Sequence, residues 1–187
     1  MFAAGVSAGL TRQGPGHTPA GRPSSAAWNL RSTVRDMAID DTEVRSAIRS
    51  YFRVLQNDPT PARMRATVVT DDFRTGFVGG HMWQGPEGLA EFLDARKGFV
   101  DEQHDVDEVL GQQDRPDGSA EVRTRLHFHL RDPGTGEIFT GIAFHTWELR
   151  RQGAGDVRVA AQLVNGFADL NDAATRLFGH PDEGLSR

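Results

Sequence analysis

Three tight-turn clusters, Arg115-Pro116-Asp117-Gly118, Asp132-Pro133-Gly134 and Gly153-Ala154-Gly155, divide the second half of this chain into four long strand candidates at 103–112, 120–131, 137–150 and 156–167. Connections this short allow only antiparallel neighbours, because a parallel return needs a crossover of a dozen residues or more. The spacing therefore predicts a meander. Ahead of it the period is helical: Val44, Ala47, Ile48, Tyr51 and Leu55 share one stripe, with Asp40 placed to cap and Glu43 three residues on. Asn57-Asp58-Pro59 stops that helix, and Thr60-Pro61 opens a short second one that ends near Val69. A strand at 73–77, a turn at Gly79-Gly80 and a short strand at 81–84 follow, and Gly85-Pro86-Glu87 starts a third helix through Leu89, Phe92 and Leu93. Helices first and an antiparallel sheet afterwards make an α+β domain, expected over 39–170.

The flanks differ in composition. Residues 1–38 are rich in Gly, Pro, Ser, Ala and Arg and carry no apolar period, so burial cannot offset their ordering entropy. A disordered tail, an Arg-rich targeting peptide and sequence upstream of a start at Met37 are three readings of this segment. Residues 171–187 read as a C-terminal tail with room for a short helix. The formal net charge is -5, with +3 on the first 36 residues and -8 on the remainder. An acidic body is a poor match for phosphate backbones, so no nucleic-acid partner is expected. The chain has no cysteine, hence neither thiolate nucleophile nor disulfide framework, and no run reaches the ~18 apolar residues of a membrane span. A cytoplasmic protein is the expectation.

Four local patterns occur in order: Tyr51-Phe52-Arg53-Val54-Leu55 before a helix break, Thr70-Asp71-Asp72-Phe73 leading into a strand, Gln84-Gly85-Pro86-Glu87-Gly88-Leu89 opening the third helix, and Gln103-His104 at the start of the meander. Over about 40–170 the sequence resembles the nuclear transport factor 2-like superfamily, in its SnoaL-like and scytalone dehydratase-like branch. The resemblance implies a cone-shaped curved antiparallel sheet around N-terminal helices, enclosing a pocket. It also implies a homodimer through the outer sheet face. The fold itself hosts both enzymes and proteins without catalysis.

The resemblance draws attention to His104, where the dehydratases place a pocket histidine able to exchange a proton near neutral pH; the alternative is a strand histidine bonded to a carbonyl. Tyr51 matches the ketosteroid isomerase tyrosine that donates to a developing oxyanion, yet it also lies on the apolar stripe of its helix. His145 falls near the dehydratases' substrate-binding asparagine. Alternation puts it on one side with Phe139, Gly141, Ala143 and Trp147, where the small residues leave room for a ligand. A slip of one residue would turn it outward. Trp83, Trp147, Phe77, Asn165 and His81 are candidate substrate contacts.

Departures from the family pattern matter equally. Phe77 stands where ketosteroid isomerases have their carboxylate base, Trp147 near their oxyanion-hole acid, and Gln56 where the dehydratases have an aspartate. His127 and His129 have metal-ligand spacing, but they share a strand face with Arg123, Arg125 and Arg131, so no metal and no other cofactor is expected. Phosphate-cradling glycine motifs and nucleophile elbows are missing from the sequence. The expected function is a cofactor-independent small-molecule enzyme of dehydratase, isomerase or cyclase type, in polyketide or other specialised metabolism. It would use His104 as general acid or base, His145 as second relay or anchor and Tyr51 as oxyanion donor. The alternative is a non-catalytic ligand-binding or partner-subunit protein of the same fold.

Overall fold

A computed structural model describes residues 38–153 and 155–179. The N-terminal segment 1–37, on which the tail, targeting and start-site readings bear, lies outside the described residues, as do Ala154 and 180–187.

Helix α1 (Asp41–Gln56) begins as its sequence dictates. The Asp40 side chain accepts from the Glu43 amide at 2.8 Å and the Glu43 carboxylate accepts from the Asp40 amide at 3.0 Å, a reciprocal capping box worth about 1 kcal/mol. Its inner face buries Val44, Ala47, Ile48, Tyr51, Phe52, Val54 and Leu55. Asn57 is the C-cap, and Asp58 takes a left-handed conformation (φ 54°) in the turn that leads to α2 (Pro61–Thr67).

Six strands form one curved sheet in the order β2-β1-β6-β5-β4-β3: β1 (Val69–Phe77), β2 (Met82–Gln84), β3 (Val100–Asp114), β4 (Ala120–Arg131), β5 (Ile138–Gln152) and β6 (Asp156–Ala168). The meander β3 to β6 is antiparallel throughout, and the three turn clusters lie where the sequence predicts them. The unpredicted feature lies on the other edge of β6: the stretch that pairs with β5 also pairs in parallel with β1, while β1 pairs with β2 in a hairpin. Helix α3 (Gly85–Ala95) packs on β1 and β2, and α1 packs on β6 and β3. A further helix, α4 (Asp172–Phe178), packs on β5. No helix among the described residues is long and apolar enough to cross a membrane.

On β4, Val122, Thr124, Leu126 and Phe128 are buried, while Arg123 and His127 are exposed on the other side. That outer face is knitted by ion pairs: Asp107 accepts from Arg125 at 2.6 Å and lies 3.5 Å from His127, and Asp101 pairs with Arg131.

Candidate active site

Between the curved sheet and its helices lies a cavity of roughly 230 Å³, with Tyr51, His104 and His145 all in its wall. Several further rings line it, including Phe52, Phe92, Phe99, Phe128 and Phe167. Such a volume lies just under the range of about 300–1,000 Å³ usual for drug-sized ligands.

Helix α1 delivers Tyr51, which is 0% exposed. Its hydroxyl has no hydrogen-bond partner; Thr75 approaches without meeting bonding geometry. Burial pushes the phenol well above its ordinary value, so it remains a protonated donor.

His104 projects from β3 and stacks on Phe52, ring centroids 4.3 Å apart and planes within 7°. Gln56 Nε2 lies 3.2 Å from His104 Nδ1. The dehydratase aspartate position thus does hold the histidine in this chain, through an amide. Burial, then the Arg96 guanidinium and His145, drive the His104 pKa well below the usual 6.5. His145 behaves likewise: burial first, then Arg96, lower its pKa to about 3. Its tautomer is fixed by a relay. Thr75 Oγ1 donates to Gln162 Oε1 at 2.5 Å, which turns Gln162 Nε2 toward His145 Nδ1 at 3.3 Å. Nδ1 therefore accepts and Nε2 carries the proton. Among the described residues neither imidazole Nε2 has a protein partner.

Glu102 with its partner Arg96, and Gln162, are wall residues that sequence reasoning missed. Glu102 from β3 has a side chain only 9% exposed, and both its oxygens accept from Nη2 of Arg96, the residue that caps α3. Arg96 also lies over the Phe92 ring, 5.2 Å from its centroid. Burial raises the Glu102 carboxyl above the ordinary carboxylate value even though Arg96 opposes this. The available signal was alternation, since Glu102 and His104 are two residues apart on one strand and share its inner face. Gln162 was the other omission, readable only once β6 is known to lie beside β5.

The substrate-contact candidates divide. Trp83 and Phe77 line the cavity, Phe77 at 38% exposure. Trp147 does not reach it: wholly buried between Tyr51 and Phe52, it donates from Nε1 to Thr124 Oγ1 at 2.8 Å as a core residue. Asn165 is exposed and donates to Thr146 Oγ1 at 2.8 Å, because its place in β6 turns it away from the cavity. His81, also exposed, packs edge-on against Trp83 without lining the wall. Nor does Gly141 leave ligand space. A Cβ there would come within 2.5 Å of Leu170 Cδ2 and 3.0 Å of Phe128 Cε1, so side chains fill that volume, whereas Ala143 does face the cavity. Among the described residues no three His, Asp or Glu side chains are grouped to hold a metal ion.

No family model and no curated protein matches this sequence. Solved structures do match in shape. A nuclear transport factor 2-like superfamily protein from Salmonella enterica serovar Typhimurium superposes with a TM-score of 0.57 at 17% identity, over 74% of this chain and 94% of that one. A candidate scytalone dehydratase from Novosphingobium aromaticivorans gives 0.57 at 13% identity, over 79% and 91%. A ketosteroid isomerase-like protein from Erwinia carotovora gives 0.51 at 22% identity, over 65% and 91%. Six-stranded, mostly antiparallel and curved around its helices, the chain has the α+β cone fold of the nuclear transport factor 2-like superfamily.

Proposed function

We propose that this cavity is the acid-base site of a small-molecule enzyme of dehydratase, isomerase or cyclase type, acting on a ring-bearing carbonyl compound by proton transfer. One observation supports the reading above others: His104, His145 and Tyr51, drawn from three separate elements, line one apolar volume with donors that no protein group uses. Unspent donors in an apolar wall suit an oxygen that gains negative charge as a neighbouring C–H bond breaks. The chemistry needs neither a nucleotide nor a metal. Structural neighbours named as dehydratase and isomerase-like proteins agree with this class.

A binding module without catalysis is the second reading, favoured by the amide partners of both histidines and by Phe77 at the position of the isomerase base. Deuterium exchange separates the two. 2-Tetralone, a two-ring ketone suited to the volume, is incubated with the protein in D₂O and its α-protons are followed by NMR. The enzyme reading expects exchange well above buffer, falling by about 10²- to 10⁴-fold in His104→Ala. Binding without exchange would support the module instead. The outer sheet face is proposed as a homodimer contact, and a monomer mass by light scattering would refute it.

A further inference from the structure

We propose that Glu102 is the catalytic proton acceptor of this cavity and Arg96 its positioning residue. The inference rests on the acid-base reading above and supplies the base that the sequence lacks at Phe77.

Breaking a C–H bond needs an available lone pair, and the wall offers few. Tyr51 is a protonated phenol. Both imidazoles accept through Nδ1 from glutamine amides, which leaves Nε2–H as a donor on each. Amide and hydroxyl oxygens are too weakly basic for the task. Of the residues lining the cavity, Glu102 is the one carboxylate and Arg96 the one guanidinium. An isolated ion pair in a ring-lined wall is costly to desolvate, and apolar side chains of the same volume would commonly be as stable or more so. The pair is thus hard to explain by packing alone.

Its geometry fits a held base. Arg96 Nη2 occupies one lone pair on each carboxylate oxygen and leaves another on each. Glu102 and His104 occupy the same face of β3, so the acceptor and one donor flank one edge of a bound ligand. Burial moves the carboxyl upward, toward the pH at which it works. In the step itself, a proton passes from the carbon beside the ligand carbonyl to a Glu102 oxygen. The C–H electron pair becomes a C=C bond, and the carbonyl π pair moves onto oxygen. The resulting enolate oxygen accepts from His104 Nε2–H, His145 Nε2–H and the Tyr51 hydroxyl. In D₂O the Glu102 carboxylic acid trades its proton for a solvent deuteron before returning one to carbon, which restores the carboxylate and leaves deuterium on the ketone.

The test uses the full-length protein and the 2-tetralone exchange assay, with binding followed separately by tryptophan fluorescence. Glu102→Gln keeps a hydrogen-bonding shape but loses the basic lone pair. It is expected to retain binding within about threefold and to lose exchange by at least about 100-fold. Should that variant fold poorly, Glu102→Asp retains the charge and withdraws it by one methylene, for an expected loss of about tenfold or more. Exchange within twofold of wild type in either folded variant overturns the inference. If His104→Ala alone abolishes exchange and Glu102→Gln does not, the acid-base reading stands and this inference falls. Wild-type protein that does not bind the ketone, or binds it without exchange, overturns the acid-base reading and the inference with it.

Arg96→Gln gives the positioning readout. The titratable and charged groups that share the cavity wall with Glu102 are Arg96 at the end of α3, Tyr51 on α1, His104 on β3 and His145 on β5. On the outer side, Asp58, Glu91, Asp94, Lys97 and Asp101 line a groove that shares the Arg96–Glu102 wall. Removing the guanidinium takes away the cation that lowers the Glu102 pKa, so the rise of exchange with pH should move to higher pH. A lower rate with an unmoved profile would make Arg96 merely structural.

Discussion

Tyr51 shows what a single atom reveals about a site. Its ring is held by edge contacts with Phe52 and Trp147, centroids 5.4 and 5.5 Å away, and so fills the core as any aromatic would. Its hydroxyl gains nothing from that packing, since a buried O–H without a partner costs about 1–3 kcal/mol relative to one hydrogen-bonded to water. Tyr51→Phe should therefore leave stability to urea unchanged or raise it by up to about 2 kcal/mol, while ketone exchange falls at least about tenfold. A variant both less stable and equally active would assign the hydroxyl to the core. The residue was legible as a stripe member and as a donor; its missing partner was not, because that depends on where Thr75 on β1 and the other groups of the wall come to lie around the hydroxyl. Trp147 is the converse. Alternation sets it on the right side of β5, but the strand runs past the cavity and its indole finds Thr124 instead.

Elements were legible where one local cause fixes them. The α1 cap, its stripe and the tight turns of the meander each depend on residues close in sequence, and each lies where the pattern puts it. Two things escaped. Nothing local tells β6 to pair in parallel with β1, because the partners, such as Thr75 and Gln162, lie far apart in sequence. The β1–β2 hairpin was read from Gly79-Gly80, yet its steric constraint sits at Gly76. There φ is +147°, and a Cβ would lie 2.2 Å from the His81 carbonyl oxygen. That hairpin carries Phe77 and Trp83 to the cavity wall. Gly76→Ala combines backbone strain with a backbone clash, so a loss of about 2–4 kcal/mol is expected in denaturant unfolding. Gly79→Ala also has a positive φ but meets open space, and should cost about 1 kcal/mol. Equal costs would mean that the hairpin opens to accept the methyl.

For the whole molecule, the same burial that readies the site makes the fold sensitive to mild acid. In the unfolded chain His104 and His145 take up protons near pH 6.5; in the folded chain His145 does so only at about 3, and His104 is also held well below 6.5. Between those limits the unfolded state binds more protons, so stability falls as pH falls, by up to about 1.4 kcal/mol per pH unit for each histidine. The carboxylates act in a lower window. Glu43 is held down by Arg151, Asp72 by Thr70 and Arg150, and Glu148 by Arg150 and Arg74 against the cost of its burial; these give up stability only below about pH 4.5. Glu102 has the opposite sign: with its carboxyl raised by burial, protonation favours the folded state as pH drops through its folded value. In the interval from about pH 6.5 to 5 the loss comes from the two imidazoles, with Glu102 acting against it. Urea unfolding should show a loss of about 2 kcal/mol or more from pH 7 to pH 5, and His145→Gln should remove close to half of that dependence. A profile flat to pH 5 would mean that the folded cavity accepts protons on its histidines. The imidazoles would then be a source of protons for a ligand, and the case for Glu102 as the sole exchanging group would weaken accordingly.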